Sequence, residues 1–488
     1  MENTNELFRE TDIRKEKIKN LKAQGINPYA PKFDCSCDIT EARKMELGSK
    51  VKLGGRVIGK RVMGKLAFIR IADIYNSIQV SIGRNEIEEE KYTFFKQNID
   101  IGDFVGLSGE LYVTHTEELT IRCADICLLS KAIKPLPEKF HGLSDQETRY
   151  RERYHDLISN EESRKILLGR SNVTKFIRNY LQNNGFIEVE TPILQSAVSG
   201  ASAKPFITKH NALDMEMNLR IAPECYLKQC VAGGFPRVFE VAKCFRNEGM
   251  DQQHLQEFTQ VEWYASYWDF EDNIKFFTGF IRALTQEILG KQEITVGEEV
   301  FDISKDFKRV NYTETINECL GFNVLDYSNV DDLKAKVLEL NRFDAKEIDD
   351  LKTCGAVIDY IYKRDIRPSI KEPTILFNYP ASLVPLARPN DADPRTIEMF
   401  QFLINGVELC KAYSELVDPF IQRRNLEEQM KAKLAGDDEA MEIDESFLGA
   451  MEAGMPPMSG LGMGIDRLLM TLFNVENIRE VILFPIMK

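Results

Sequence analysis

The chain has 488 residues, of which 43% are hydrophobic and 29% charged, and its formal net charge is −14. No run approaches the roughly 18 apolar residues of a membrane span, and the charged opening MENTNELFRETDIRKEKIKNLKAQG lacks the apolar stretch of a secretory signal, so a cytoplasmic location is expected. The acidic balance argues against indiscriminate nucleic-acid binding but leaves room for a local basic surface. Residues 1–50 form a lead-in, with a helix predicted over 5–24 and stopped by Gly25. Its Arg9, Arg14, Lys15, Lys17, Lys19 and Lys22 mix with acids at helical spacing, which suits a solvated face or an RNA-binding arm.

Residues 51–132 change character. The runs VKLGGRVIGKRV, LAFIRIADI, SIQVSIG, DFVGLSGELYV and ELTIRCADICLLS predict five strands with glycine-bearing turns, the pattern of an OB-fold barrel. Such barrels commonly bind single-stranded nucleic acid, although the strand pattern alone also suits a barrel without a ligand. The 10 cysteines are scattered, and neither Cys35-x-Cys37 nor Cys123-x-x-x-Cys127 has the second pair of a structural zinc site; they read as reduced thiols. Residues 133–157 form a linker containing Pro135-Leu136-Pro137-Glu138-Lys139, which feeds a charged helix.

The remainder, 158–488, mixes strands and helices and predicts an α+β unit, with helical insertions at about 306–372 and 423–446. In LGRSNVTKFIRNYLQNNGFIEVETPIL, Val173, Phe176, Ile177, Tyr180 and Leu181 recur at helical spacing, and Asn183-Asn184-Gly185 ends the helix. Two strands flank a polar loop in FEVAKCFRNEGMDQQHLQEFTQVEWY, and regular alternation places Arg246 on one face with Glu240 and Glu248. An arginine suits a phosphate or carboxylate here because its planar fork binds either one bidentately and stays charged when desolvated. Glu257 and Glu262 supply further carboxylates on the returning strand.

FQFLINGVELCKAYSELVDP holds an Asn405-Gly406 turn, which pairs Ile404 with Val407 and Leu403 with Glu408. Gln401 and Glu408 then share one face, while Lys411, Tyr413 and Glu415 share the other. All of them line one site only if a bulge breaks the alternation. In MSGLGMGIDRLLMTLF, Gly460, Gly462 and Gly464 let the backbone approach a ligand, and an amphipathic helix follows.

These stretches together resemble the class II aminoacyl-tRNA synthetases, and most closely their lysine-specific branch. The arginine hairpin is similar to motif 2, the glycine strand with Arg467 to motif 3, and the helix and following strand over 168–194 to motif 1, the dimer-forming element. The resemblance implies an antiparallel catalytic sheet and a homodimer. It puts ATP at Arg246, Glu248, His254, Phe258, Glu408, Gly464 and Arg467, with Arg246 and Arg467 as the catalytic cations. It puts the amino acid at Gly200, Glu224, Arg246, Glu262, Tyr264, Tyr413 and Glu415. Mg2+ would be held by Glu408 and Gln401, and the anticodon read by Phe68, Gln79 and Glu118.

The implied reaction is ATP-dependent activation of lysine and its transfer to tRNA-Lys. Three positions depart from the branch: Gln401 replaces a metal-binding glutamate, Lys411 replaces an asparagine of the lysine pocket, and Leu255-Gln256 replaces Asn-Pro. Lys411 can turn to solvent, weaken lysine binding, or shift selection to another amino acid. Two alternatives stand beside the implied function: a synthetase-derived paralogue that uses another amino acid or acceptor, and a catalytically silent RNA-binding regulator.

Overall fold

In the computed structural model, which describes residues 2–136, 145–434, 436 and 439–487, the chain divides into two units, Met1–Arg164 and Lys165–Lys488. In the first, helix α1 (Glu2–Ala23) gives way to Gly25, whose φ of 75° a side chain would disfavour. Five strands then close a barrel: β1 (Lys50–Met63), β2 (Leu66–Ala72), β3 (Ser77–Gly83), β4 (Phe104–Val113) and β5 (Leu119–Ser130), in the order β1-β2-β3-β5-β4. Alternation in β2 sends Ala67, Ile69 and Ile71 into the barrel core and leaves Phe68 and Arg70 outside. The 10 cysteines are free thiols. The Pro137-Glu138-Lys139 part of the linker lies outside the described residues.

The second unit is built on an eight-stranded sheet. Its strands are β6 (Ile187–Glu188), β7 (Arg237–Phe245), β8 (Glu257–Ser266), β9 (Lys308–Asn311), β10 (Thr374–Pro380), β11 (Thr396–Ile404), β12 (Val407–Ser414) and β13 (Met458–Gly464). They run in the order β9-β10-β11-β12-β13-β8-β7-β6, antiparallel except for the two edge pairs. This is the α+β class expected from the sequence. The stretch expected as a helical insertion from 306 opens instead with β9, a strand of only 4 residues whose pattern is too short to read. Helices follow it from Tyr312.

One face of the sheet is apolar. Val173, Ile177 and Leu181 of α2 (Glu161–Asn183) join a single cluster with Phe239, Trp263, Phe400, Phe402 and Met463. Phe277, Phe280 and Leu284 of a second long helix, α4 (Phe270–Leu289), belong to the same cluster. Burying each such side chain is worth roughly 1.5–3 kcal/mol. That anchorage leaves the opposite face free to carry charge. The shorter helix α3 (Glu224–Ala232) packs on that face through Leu227 and Val231. By contrast α5 (Ile465–Phe473), running on directly from β13, joins the apolar cluster through Ile465, Leu468, Leu469 and Leu472 and brings only its first turn to the edge of the charged face.

Candidate active site

The charged face is read off the pairing register. Glu240 lies opposite Glu262, and Glu262 opposite Gly462; Gly462 in turn faces Lys411, and Lys411 faces Gln401. The neighbouring row on the same face runs Tyr264, Gly460, Tyr413, Met399. The bulge that the hairpin requires is present: the β11–β12 register shifts between Phe402 and Leu403, so that Leu403 faces Glu408 while Phe402 faces Cys410. Leu409 is the extra residue and turns into the apolar cluster. Its insertion puts Glu408, Lys411, Tyr413 and Glu415 on one face.

At one end of this face three carboxylates are buried together, Glu224, Glu262 and Glu415. Tyr264 Oη donates to Glu262 Oε2 at 3.0 Å, and Gln260 Nε2 donates to its Oε1 at 2.7 Å. Tyr413 Oη donates to Glu224 Oε1 at 2.6 Å. Gly200, at φ 88°, lies against the Glu224 side chain, where an added Cβ would come within 3.1 Å of Glu224 Cβ. The sequence did not single out the cation that holds this group together. Lys228, fully buried on α3, donates to Glu224 Oε1 at 2.6 Å, and its Nζ lies 2.5 Å from Glu415 Oε2 in an ion pair out of hydrogen-bonding alignment. Glu224 and Lys228 stand four apart on one helix, a spacing legible in APECYLKQC.

Three carboxylates against one ammonium leave an uncompensated negative charge. Burial, reinforced by Glu224, pushes the Glu262 carboxyl up to about 8, against the Tyr264 hydrogen bond and Arg246. Burial raises Glu415 as well, with Lys228 opposing. Burial alone would lower the Lys228 pKa, but Glu224 and Glu415 outweigh it and hold it above its ordinary value. This pocket needs a cation to ionise fully.

The other end is cationic. Arg246 follows β7; its guanidinium lies 5.0 Å from the Phe258 ring centroid, and its Nε is buried without a hydrogen-bond partner. Arg467, in the first turn of α5, meets His254 Nε2 at 2.5 Å, and His254 Nδ1 lies 2.8 Å from Asp251. Burial lowers the Arg467 pKa, Glu408 opposes this, and Arg367 and Arg246 add to it, so the three guanidiniums share one field. Arg367 carried no sequence signal beyond its charge. Glu248 and His254 lie exposed in the loop between Arg246 and Gln256. Glu257 belongs to the other face, because it lies one residue out of phase with Phe258, and it pairs there with Lys243 at 3.0 Å.

Two further expectations change. Lys411 does not turn to solvent: it is partly buried in the row between Gln401 and Gly462, and burial lowers its pKa against the pull of Glu408. Of the three glycines, only Gly464 faces open space. Gly460 makes room for protein instead, since a Cβ there would strike the Tyr264 ring and lie 2.5 Å from Glu415 Oε1. Glu408 makes no hydrogen bond or ion pair among the described residues, so its oxygens are open to a divalent cation. Gln401 fits that role poorly, because its Oε1 accepts the Tyr379 hydroxyl at 2.6 Å.

In the first unit, the outer face of the barrel brings Phe68, Arg70 and Gln79 onto adjoining strands, with Phe68 opposite Arg61 and Arg70 opposite Gln79. Phe68 is therefore no core residue. Gln79 Nε2 donates to Thr120 Oγ1 at 3.0 Å, and Glu118 is paired with Arg70, a residue the sequence reading passed over. Arg122 lies opposite Ser81, with Glu86 3.7 Å from its guanidinium, so this face carries several arginines with acids beside them.

Residues 145–488 match the family described as tRNA synthetases class II (D, K and N), and residues 51–129 match an OB-fold nucleic acid binding domain. The chain is 42% identical to a lysine–tRNA ligase of Citrobacter koseri, over 99% of its own length and 97% of the relative's. It is 39% identical to a lysine–tRNA ligase of Enterococcus faecalis, covering 98% and 97% of the two chains. For that of Listeria welshimeri the figures are 40% identity and coverage of 100% and 99%.

Proposed function

The chain belongs to the class II tRNA synthetases, and on that premise we propose that it is a lysine–tRNA ligase acting in two steps, of which the first consumes ATP. In the first, a carboxylate oxygen of lysine attacks the α-phosphorus of ATP, and the bond to the β-phosphate oxygen breaks to release pyrophosphate. In the second, a ribose hydroxyl of the terminal adenosine of tRNA-Lys attacks the activated carbonyl and AMP leaves. No protein nucleophile takes part, so catalysis rests on positioning and on neutralising phosphate charge.

The observation that carries lysine as the substrate is the imbalance of charge around Lys228. Glu224, Glu262 and Glu415 outnumber the one resident ammonium, and lysine brings two cationic groups at opposite ends of its chain. Glu224 beside Gly200 takes the α-ammonium; Glu262, Glu415, Tyr264 and Tyr413 enclose the ε-ammonium. Arg246, with its unpartnered Nε, spans the lysine carboxylate and the α-phosphate. Arg467 and His254 hold the outer phosphates, Phe258 offers its ring to adenine, Gly464 leaves room for the nucleotide, and Glu248 lies near it. A bound Mg2+ would shield phosphate charge from Glu408, a carboxylate of this end without a hydrogen bond or ion pair among the described residues. Its hard oxygen preference suits that residue better than Gln401.

The outward placement of Phe68, Arg70 and Gln79 on adjoining strands of the barrel supports anticodon recognition, with Phe68 as a stacking platform and Gln79 as a reader of base edges; Glu118 orients Arg70. The segment after α2 exposes Ile187, Ile193, Leu194, Ile207 and Leu213, which supports a homodimer across this face. Sedimentation equilibrium tests that assembly. Among the described residues no helix is long and apolar enough to cross a membrane, which fits work on tRNA in the cytoplasm.

The test of the whole is ATP–pyrophosphate exchange with each amino acid, followed by aminoacylation of tRNA-Lys. Exchange with lysine and charging of that tRNA are expected. Exchange with a different amino acid instead points to the paralogue, and exchange with none to a silent regulator.

A further inference from the structure

We propose that Lys411 is a resident cation of the phosphate site, so that an ammonium of the chain neutralises the triphosphate on the Gln401 side in place of a divalent ion. The proposal rests on the ATP-binding role of Arg246 and Arg467 given above. Its first support is position. Lys411 lies opposite Gln401 on one side and Gly462 on the other, and the bulge at Leu409 turns it to the same face as Glu408. Gly462 has no side chain to screen it.

The second support is partnership. The buried ammonium of Lys228 meets two carboxylates, whereas the Lys411 ammonium has no hydrogen bond or ion pair among the described residues. The charges it feels are Glu408 on its own strand, Glu224 on α3, Asp359 on the inserted helix Cys354–Ile361 and Arg246 after β7. A desolvated ammonium left unpaired is costly, and the anion that enters this face is the triphosphate.

The third support is the poor fit of a metal beside it. The Gln401 oxygen already accepts the Tyr379 hydroxyl, and the lone pair it keeps belongs to a neutral amide, a weaker ligand for a divalent ion than a carboxylate. A neutral amide beside an ammonium is a poor seat for a divalent ion, because it brings no negative charge to offset the Lys411 repulsion. Among the described residues no group of three or more His, Cys, Asp or Glu is placed to hold one. Glu408 remains as the single carboxylate for an ion bridging to phosphate. The two substitutions at 401 and 411 are therefore one device: a negative ligand is removed and a positive charge is supplied across one rung of the sheet.

The experiment counts ions without turnover. Mn2+ bound per enzyme-bound α,β-methylene ATP is measured by electron paramagnetic resonance in the wild-type protein and in the Lys411→Asn/Gln401→Glu double variant. About one ion per bound nucleotide is expected in the wild type, and about one more in the variant. In parallel, the Mg2+ dependence of wild-type pyrophosphate exchange, which needs no variant, is expected to be close to first order. A wild-type count of two or more overturns the proposal, as does an unchanged count in the variant accompanied only by a lower KM for lysine, which would place Lys411 in the amino-acid pocket. Failure of the analogue to bind at all overturns the ligase assignment with it; normal binding with the wrong count overturns this proposal alone.

Discussion

Glu262 and Glu415 hold their protons more tightly in the folded chain than in the unfolded one, where carboxyls of this kind titrate near 4.5. Between that value and about 8 the folded state therefore binds more protons, and the stability of the ligand-free protein falls as pH rises through the window and levels off above it. Under the proposed binding mode lysine binding is expected to run the opposite way, because the ε-ammonium would need both groups ionised. The KM for lysine is expected to fall as pH rises from about 6.5 to 8.5, and calorimetry near neutrality in buffers of differing ionisation enthalpy is expected to show proton release on binding. A KM flat across that range would show that neither carboxyl meets the substrate charge. Lys228 supplies a second check. Lys228→Met leaves Glu224 and Glu415 buried without their cation, a loss of about 3–5 kcal/mol, readable by urea unfolding.

At the scale of elements, β13 separates two jobs that look alike in its sequence. Gly460 and Gly464 belong to one alternating run, yet only the structure shows that the first clears protein and the second clears open space. The Tyr264 ring cannot retreat, being packed against Leu227, Val238 and Met458. Gly460→Ala is expected to raise the KM for lysine about tenfold or more, in keeping with overpacking costs of about 1–3 kcal/mol. Gly464→Ala is expected to raise the KM for ATP and leave that for lysine unchanged. Steady-state exchange kinetics of the two variants decide, and identical effects on both substrates would contradict the division. The β11–β12 hairpin was legible to the residue at its turn, because Asn-Gly dictates the register. The bulge at Leu409 was legible only as a requirement, since no residue type there forces it. Lys228 could have been found from its spacing to Glu224, but Glu415, its second partner, comes from the other end of the unit, and only the sheet brings them together.

Across the whole molecule, charge is divided by task. A net charge of −14 coexists with a barrel face bearing Arg61, Arg70 and Arg122 around Phe68, and with a cationic end of the sheet bearing Arg246, Arg367 and Arg467. The α+β class and the barrel were legible because strand alternation is local. Which side of β2 turns outward was not, since a lone Phe in a strand suits a core equally well until the register turns it to the surface. Because the barrel and the sheet belong to separate units, RNA recognition and adenylate formation are expected to be separable by mutation. Stacking on an aromatic is worth about 1–3 kcal/mol per base, so Phe68→Ala is expected to raise the KM for tRNA roughly 5- to 150-fold while lysine-dependent pyrophosphate exchange in the absence of tRNA stays unchanged. Arg70→Ala is expected to weaken tRNA binding and to reduce its salt dependence by about one phosphate contact. Filter binding across a salt series, run beside the exchange assay, separates the two variants. A Phe68→Ala protein that charges tRNA-Lys with wild-type KM would remove the barrel face from recognition, whatever its charge.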